Sequence, residues 1–268
     1  MRYTSVHLVY FSPTHTSAKI AYAIAEGMKV TTFAEWDLTY EVPEEANLED
    51  ELTVVAVPVY GGRVAETAVE RLRNFRADQA PVVPVVVYGN RDYEDALLEL
   101  SDLLKEKGFV PVAAAAFIGE HSFSRPDMPV AAGRPDEEDL RKAMAFGLQI
   151  REYLSHVSDA SLVPPLEVKG QRPYKQKGKH NPQAPVVEAD LCTQCGYCEA
   201  ICPVGAITLV DDGTVSDPQK CIKCCACVKE CPQGARSFDS PFTPWLFEHC
   251  QARREPEIFM PADCSGNG

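Results

Sequence analysis

At 268 residues, 45% of them hydrophobic, the chain is long enough for one large domain and a smaller module, and no window holds the apolar run of a membrane-spanning helix. A formal net charge of −13 disfavours nucleic acid, whose phosphates repel an acidic surface, and suits brief docking onto basic protein partners. Met1 to Tyr10 lacks the charged, apolar and small-residue zones of a signal peptide, so the expected compartment is the cytoplasm, where thiols stay reduced.

In chain order, Val6 to Phe11 is a short apolar run stopped at Ser12-Pro13, and Ala18 to Met28 follows with helical spacing. Glu35 to Tyr40 is a weaker, alternating strand. Leu52 to Val57 has the continuous apolar character of a buried strand, and Ala65 to Arg76 then carries Ala68, Val69 and Leu72 at helix spacing. Val82 to Val87 is a third apolar run. Tyr93 to Lys107 places Ala96, Leu97, Leu100, Leu103 and Leu104 on one helical face, and Val110 to Ile118 is the last strand. The acidic turn Asp136-Glu-Glu-Asp139 opens a helix that runs to about Leu154, favoured there by the helix dipole. Strands alternating with helices predict an α/β domain over residues 1–160, with a doubly wound five-stranded parallel sheet. Ligands of such sheets sit beyond the C-terminal strand ends, so the loops Ser12–Ser17, Pro58–Arg63 and Gly89–Tyr93 should converge on one site.

Residues 161–185 differ: they contain one acid, five bases and a run of prolines, and read as a linker or surface strap. Residues 186–240 form the next unit, and 241–268 a tail with apolar Phe242, Trp245 and Phe247. In that tail Thr243 and Pro244 suit the N-cap and first residue of a helix that docks back onto the body.

All eleven cysteines lie at or beyond Cys192. Cys192-x-x-Cys195-x-x-Cys198-x-x-x-Cys202-Pro203 recurs 29 residues later as Cys221-x-x-Cys224-x-x-Cys227-x-x-x-Cys231-Pro232, and Gly205-Ala206 recurs as Gly234-Ala235. This duplicated run resembles the bacterial two-cluster ferredoxins, a smaller α+β unit in which three closely spaced thiolates wrap one cubane and the fourth ligates its partner. One [4Fe–4S] cluster is then expected on Cys192, Cys195, Cys198 and Cys231, and the other on Cys221, Cys224, Cys227 and Cys202. The competing arrangement is a pair of structural zinc sites, for which the interleaved spacing has no reason. Cys225 is expected to be a small buried apolar residue, and Cys250 and Cys264 plain thiols.

The loop Ser12-Pro-Thr14-His15-Thr16-Ser17 opens the first helix with hydroxyls and free amides, a phosphate site without the Walker lysine or the Gly-x-Gly-x-x-Gly spacing. It resembles the phosphate loop of flavodoxins, with His15 in place of the usual glycine. Pro58-Val59-Tyr60-Gly61-Gly62 and Gly89-Asn90-Arg91-Asp-Tyr93 resemble the two flavin-ring loops of that family. The resemblance implies FMN, with Tyr60 or Tyr93 stacking on the ring and His121 near it. Flavodoxin-like and ferredoxin-like units in one chain resemble the flavodoxin–ferredoxin fusion family of anaerobic bacteria and archaea. That implies an electron-transfer protein with redox protein partners; nothing in the sequence specifies an oligomeric state. The alternative is a flavin-dependent reductase of a quinone or other small acceptor, with Glu120 to Asp136 as a lid. No nicotinamide-binding domain is recognisable.

Overall fold

The computed structural model describes residues 1, 3–49, 51–178, 181–211 and 213–262, so Lys179 and Cys264 lie outside the described residues. Its main sheet contains β1 (Ser5–Tyr10), β2 (Thr32–Asp37), β3 (Leu52–Tyr60), β4 (Pro81–Tyr88), β5 (Ala114–Ile118) and β6 (Glu257–Phe259). The spatial order is β6-β5-β4-β3-β1-β2, with the short strands Arg63–Val64 and Val110–Pro111 pairing at its margins. Strands β1 to β5 are parallel in the order 2-1-3-4-5, that of flavodoxins. The sixth strand comes from the tail and runs antiparallel to β5, with Phe259 opposite Ala114. The tail therefore completes the sheet.

Alternation along each strand sorts the core into two layers. Val6, Leu8 and Tyr10 of β1 face α1 (Thr16–Met28) and α4 (Glu137–Ser155), while Val9 faces α2 (Glu66–Leu72) and α3 (Ala96–Glu106). Helices α1 and α4 touch backbone to backbone. A Cβ on Gly27 would lie 1.9 Å from the Met144 carbonyl oxygen, and one on Gly147 2.0 Å from that of Ile24. Only glycine allows that approach.

Several expected boundaries moved: β2 runs over Thr32–Asp37 and ends before Tyr40, and the strand expected over residues 110–118 is broken into Val110–Pro111 and Ala114–Ile118. Helix α2 stops at Leu72 because Phe75, 1% exposed, turns back into the core edge-on to Trp36. Helix α3 starts at Ala96 because Glu94 takes a positive φ of 44° and Tyr93 is core. Helix α7 (Thr243–His249) is capped by Phe242, so Thr243 and Pro244 are its first two residues.

The basic segment is a strap on the α3 face. Lys169 lies 3.1 Å from Asp92, and Arg172 grips Asp102 with two hydrogen bonds of 2.6 and 2.9 Å. The backbone N–H groups of Gln171 and Lys175 both donate to Asp95. Beyond the strap, Val186–Val187 pairs with Arg236–Ser237, and Ile207–Val210 with Gly213–Ser216. The one-turn helices α5 (Tyr197–Ala200) and α6 (Ala226–Lys229) sit between them in the duplicated unit.

Candidate functional site

The 29-residue repeat is visible in the backbone. Gln194 and Lys223 have φ of 55° and 56°, Gly196 and Cys225 74° and 60°, Gly205 and Gly234 58° and 60°. Left-handed residues at these positions turn loop amides inward. Accordingly the Ala206 N–H donates to Cys202 Sγ at 3.2 Å, and its counterpart Ala235 N–H to Cys231 Sγ at 3.3 Å.

Two voids result. One is bordered by Cys202, Cys221, Cys224 and Cys227, the other by Cys192, Cys195, Cys198 and Cys231. This is the ligand partition expected from the interleaved motif, with each fourth cysteine crossing to the other set. Among the described residues, no three His, Cys, Asp or Glu groups are gathered tightly enough for a single ion. Eight thiols around two voids suit cubanes, whose sulfurs stand further apart than the ligands of one zinc.

Burial pushes the Cys224 thiol up to about 12 and that of Cys227 to about 11. Arg236, 4% exposed, was not singled out in the sequence. Its guanidinium lies 3.7 Å from Cys198 Sγ and donates to Thr214 Oγ1 at 2.7 Å, while its Nε has no partner among the described residues. It is a buried positive charge where a cluster brings a negative one. Cys225 is 2% exposed and occupies the helix-cap position of Gly196.

At the C-terminal strand ends lies a cavity of about 330 Å3, built from the three expected loops. Ser12, Thr14, Thr16, Ser17, Pro58, Val59, Tyr60, Gly61, Gly89 and Arg91 all line it. The Ser17 hydroxyl is buried there without a partner, beside first-turn amides that have no intrahelical acceptor. A helix start of this kind suits an anion. The Ser12 hydroxyl instead accepts from the Ala18 N–H at 3.0 Å and closes the first turn.

Four expected residues do not line the cavity. His15 has φ of 62° and supplies the turn, but its exposed ring points to Glu230, 3.7 Å away. Gly62 backs onto the Glu94 carboxylate, which a Cβ would strike at 1.9 Å. Asn90 is 3% exposed because its side-chain amide donates to the carbonyls of Cys250 and Ala252. Tyr93 is fully buried, gives its hydroxyl to Glu257 at 2.6 Å and so cannot stack on a ligand ring. The tail, far away in sequence, captured both.

Conversely, Gly119, Glu120, His121, Ser122, Phe123 and Phe242 line the cavity. Burial holds the His121 imidazole down to about 4, with Lys229 and Arg91 adding to the effect. Residues 120–123 thus form part of one wall, and the segment they open is fastened to the cluster unit by the ion pairs Glu120–Lys229 and Arg125–Asp239.

From the cluster unit, Ile222 and Lys223 complete the lining. Ile222 also borders the void of the Cys221 set, and so separates the two spaces. Burial, with the thiols of Cys224, Cys225 and Cys221 adding to it, raises the Tyr60 hydroxyl well above its usual range. Tyr60 therefore borders the cavity on the cluster side. A larger cleft of about 590 Å3 lies at the opposite sheet end, between Met1 and Ser155, and shares no lining residue with the cavity or the two voids.

Residues 191–235 match the family described as "4Fe-4S dicluster domain". One subunit of the selenate reductase of Mesobacillus selenatarsenatis is 47% identical over 51 residues, 18% of this chain and 18% of that one. One subunit of the F(420)H(2) dehydrogenase of Methanosarcina mazei is 36% identical over 61 residues, again 18% of each. The chain thus spans less than a fifth of the length of these two curated relatives. The first domain is similar to a flavodoxin of Streptococcus pneumoniae TIGR4, at 15% identity and a TM-score of 0.39, over 56% of this chain and 97% of that one. The chain joins a flavodoxin-like domain to a two-cluster iron–sulfur domain, the equipment of an electron-transfer protein.

Proposed function

We propose that the protein relays electrons between its two [4Fe–4S] clusters and an FMN held in the 330 Å3 cavity. The observation that carries this reading is Ile222, one side chain that borders both the cavity and the void of Cys202, Cys221, Cys224 and Cys227. That cluster is then the flavin-proximal one, and the cluster of Cys192, Cys195, Cys198 and Cys231 the distal one. When bound, the flavin supplies a centre that holds one or two electrons beside clusters that exchange them singly.

The chain's own groups have separable tasks. Ser17 and the first-turn amides hold the phosphate, Gly61 lets backbone approach the ring, Gly89 makes room for His121, and Tyr60 and Ile222 exclude water between the centres. His121, with Nδ1 taken by a backbone N–H, offers the cavity a neutral Nε2–H donor. Stopped-flow mixing of protein with prereduced clusters would test the relay. Flavin reduction at a rate independent of protein concentration is expected. A rate rising linearly with concentration means that the two domains serve different partners, and the relay fails.

A second reading, reduction of a planar small acceptor such as a quinone, is favoured by an aromatic ledge at the cavity. Phe242 lines the cavity and stacks on Trp245 at 5.0 Å, which stacks on His249 at 4.8 Å. In that case Trp245→Ala would raise the KM for a quinone several-fold. An unchanged KM would remove the ledge from the argument.

A further inference from the structure

The two halves of the cluster repeat have the same backbone and opposite surroundings. In the second half, Cys224 and Ala226 are buried and Ile222 packs against the core of the flavodoxin-like domain. At the equivalent first-half positions, 29 residues earlier, Cys195 is exposed and Tyr197 is 45% exposed. Leu191, next to the first ligand, is 48% exposed. The surface that one half uses as an internal interface is thus open in the other.

Charge follows the same division. The second half carries Lys220, Lys223 and Lys229 where the first has Leu191, Gln194 and Ala200. Lys229 meets Glu120 across the internal interface, a cationic loop on an acidic domain. Residues 181–219 contain six acids and no lysine or arginine, and Glu188 and Asp190, beside Cys192, are both exposed.

We propose that the face of the distal cluster, centred on Leu191, Cys195 and Tyr197 and rimmed by Glu188 and Asp190, docks a redox protein that presents lysines or arginines around its own centre. Apolar contact at the middle brings the centres close, and the acidic rim steers the encounter and sets the partner's sign. An exposed ligand loop admits that approach, whereas the buried loop of the other cluster does not. The proposal names the outer terminus of the relay and rests on the iron–sulfur content alone, not on FMN.

The test uses full-length holoprotein with reduced clusters and cytochrome c, a lysine-rich haem protein, as the probe. The double variant Glu188→Lys, Asp190→Lys is compared with Glu44→Lys, Glu45→Lys, which makes the same charge change on the first domain. Iron content and visible absorption verify that both variants keep their clusters. At low salt the first pair should slow the second-order reduction of cytochrome c about tenfold or more and flatten its salt dependence, and the second pair less than twofold. Leu191→Ala should slow the reaction at high salt as well, where steering is screened. Reduction of a small neutral acceptor should be unchanged in all of them. Equal slowing by both pairs, or none by the first, overturns the proposal. The concentration dependence of flavin reduction reads the relay separately, so either idea can fail alone.

Discussion

The backbone N–H of Phe123 donates to Nδ1 of His121 across 3.0 Å, which fixes the imidazole as the tautomer carrying its proton on Nε2. The ring lies against Gly89, where a Cβ would come within 2.4 Å of Cδ2. Its pKa falls to about 4, so from there to the unfolded value near 6.5 the unfolded chain binds the extra proton. The stabilisation is complete above the unfolded pKa and is lost as pH falls through that window. Between pH 7 and pH 5 this residue should account for about 2 kcal/mol of lost stability. Denaturant titrations followed by Trp36 fluorescence should show a smaller loss in His121→Gln; equal losses would remove His121 as the cause.

Because each void gathers three cysteines from one repeat and one from the other, ligand loss should cross over. Anaerobically purified protein should hold about eight iron and eight sulfide per chain. Cys202→Ser should damage the flavin-proximal cluster and Cys231→Ser the distal one. Electron paramagnetic resonance of the two variants distinguishes them, and damage to the cluster of the residue's own repeat in either would refute the crossing.

Arg236 places a buried guanidinium beside Cys198 and also donates to Ser216 and the Pro185 carbonyl. A positive charge there favours the more negative, reduced cluster. Because the guanidinium also bonds to the thiol of Cys227, in the other set, Arg236→Met should lower the potentials of both clusters, the distal one by about 60 mV, a tenfold change for one electron. Protein-film voltammetry reads both. An unchanged distal potential with lower thermal stability would make Arg236 a purely structural residue.

The buried Ser17 hydroxyl has no partner among the described residues. Its loss should leave apo-protein stability equal or higher, because an unsatisfied polar atom is removed. FMN binding should weaken by about 1–2 kcal/mol, roughly tenfold, while riboflavin binding stays the same. Titrations of Ser17→Ala with both flavins decide this, and equal weakening for the two would move the phosphate elsewhere.

Asn90 and Tyr93 tie the tail to a loop of the sheet through Cys250, Ala252 and Glu257. Asn90→Ala strands buried carbonyls and should cost about 1–3 kcal/mol. Cys250, now buried, should become reactive to thiol reagents at the same time. A variant as stable as the parent, with Cys250 still protected, would show that the amide does not anchor the tail.

Contiguous sequence was enough to predict which cysteines lie together. Each set lies in one short run plus a single residue from the other repeat, 29 positions away, so spacing alone predicts which thiols meet. Strand-to-helix order predicted the parallel sheet and the edge at which the cavity opens for the same reason: chirality and short connections leave few ways to wind it. Tertiary structure decided what contiguous sequence does not carry. Asn90 and Tyr93 belong to a cavity loop by position, yet residues 160 and more away claim them for the tail. Arg236 and Ile222 look like unremarkable residues of a ferredoxin repeat until folding sets one beside Cys198 and the other between two sites. Both depend on long-range burial, where a side chain's role is set by the groups that close over it.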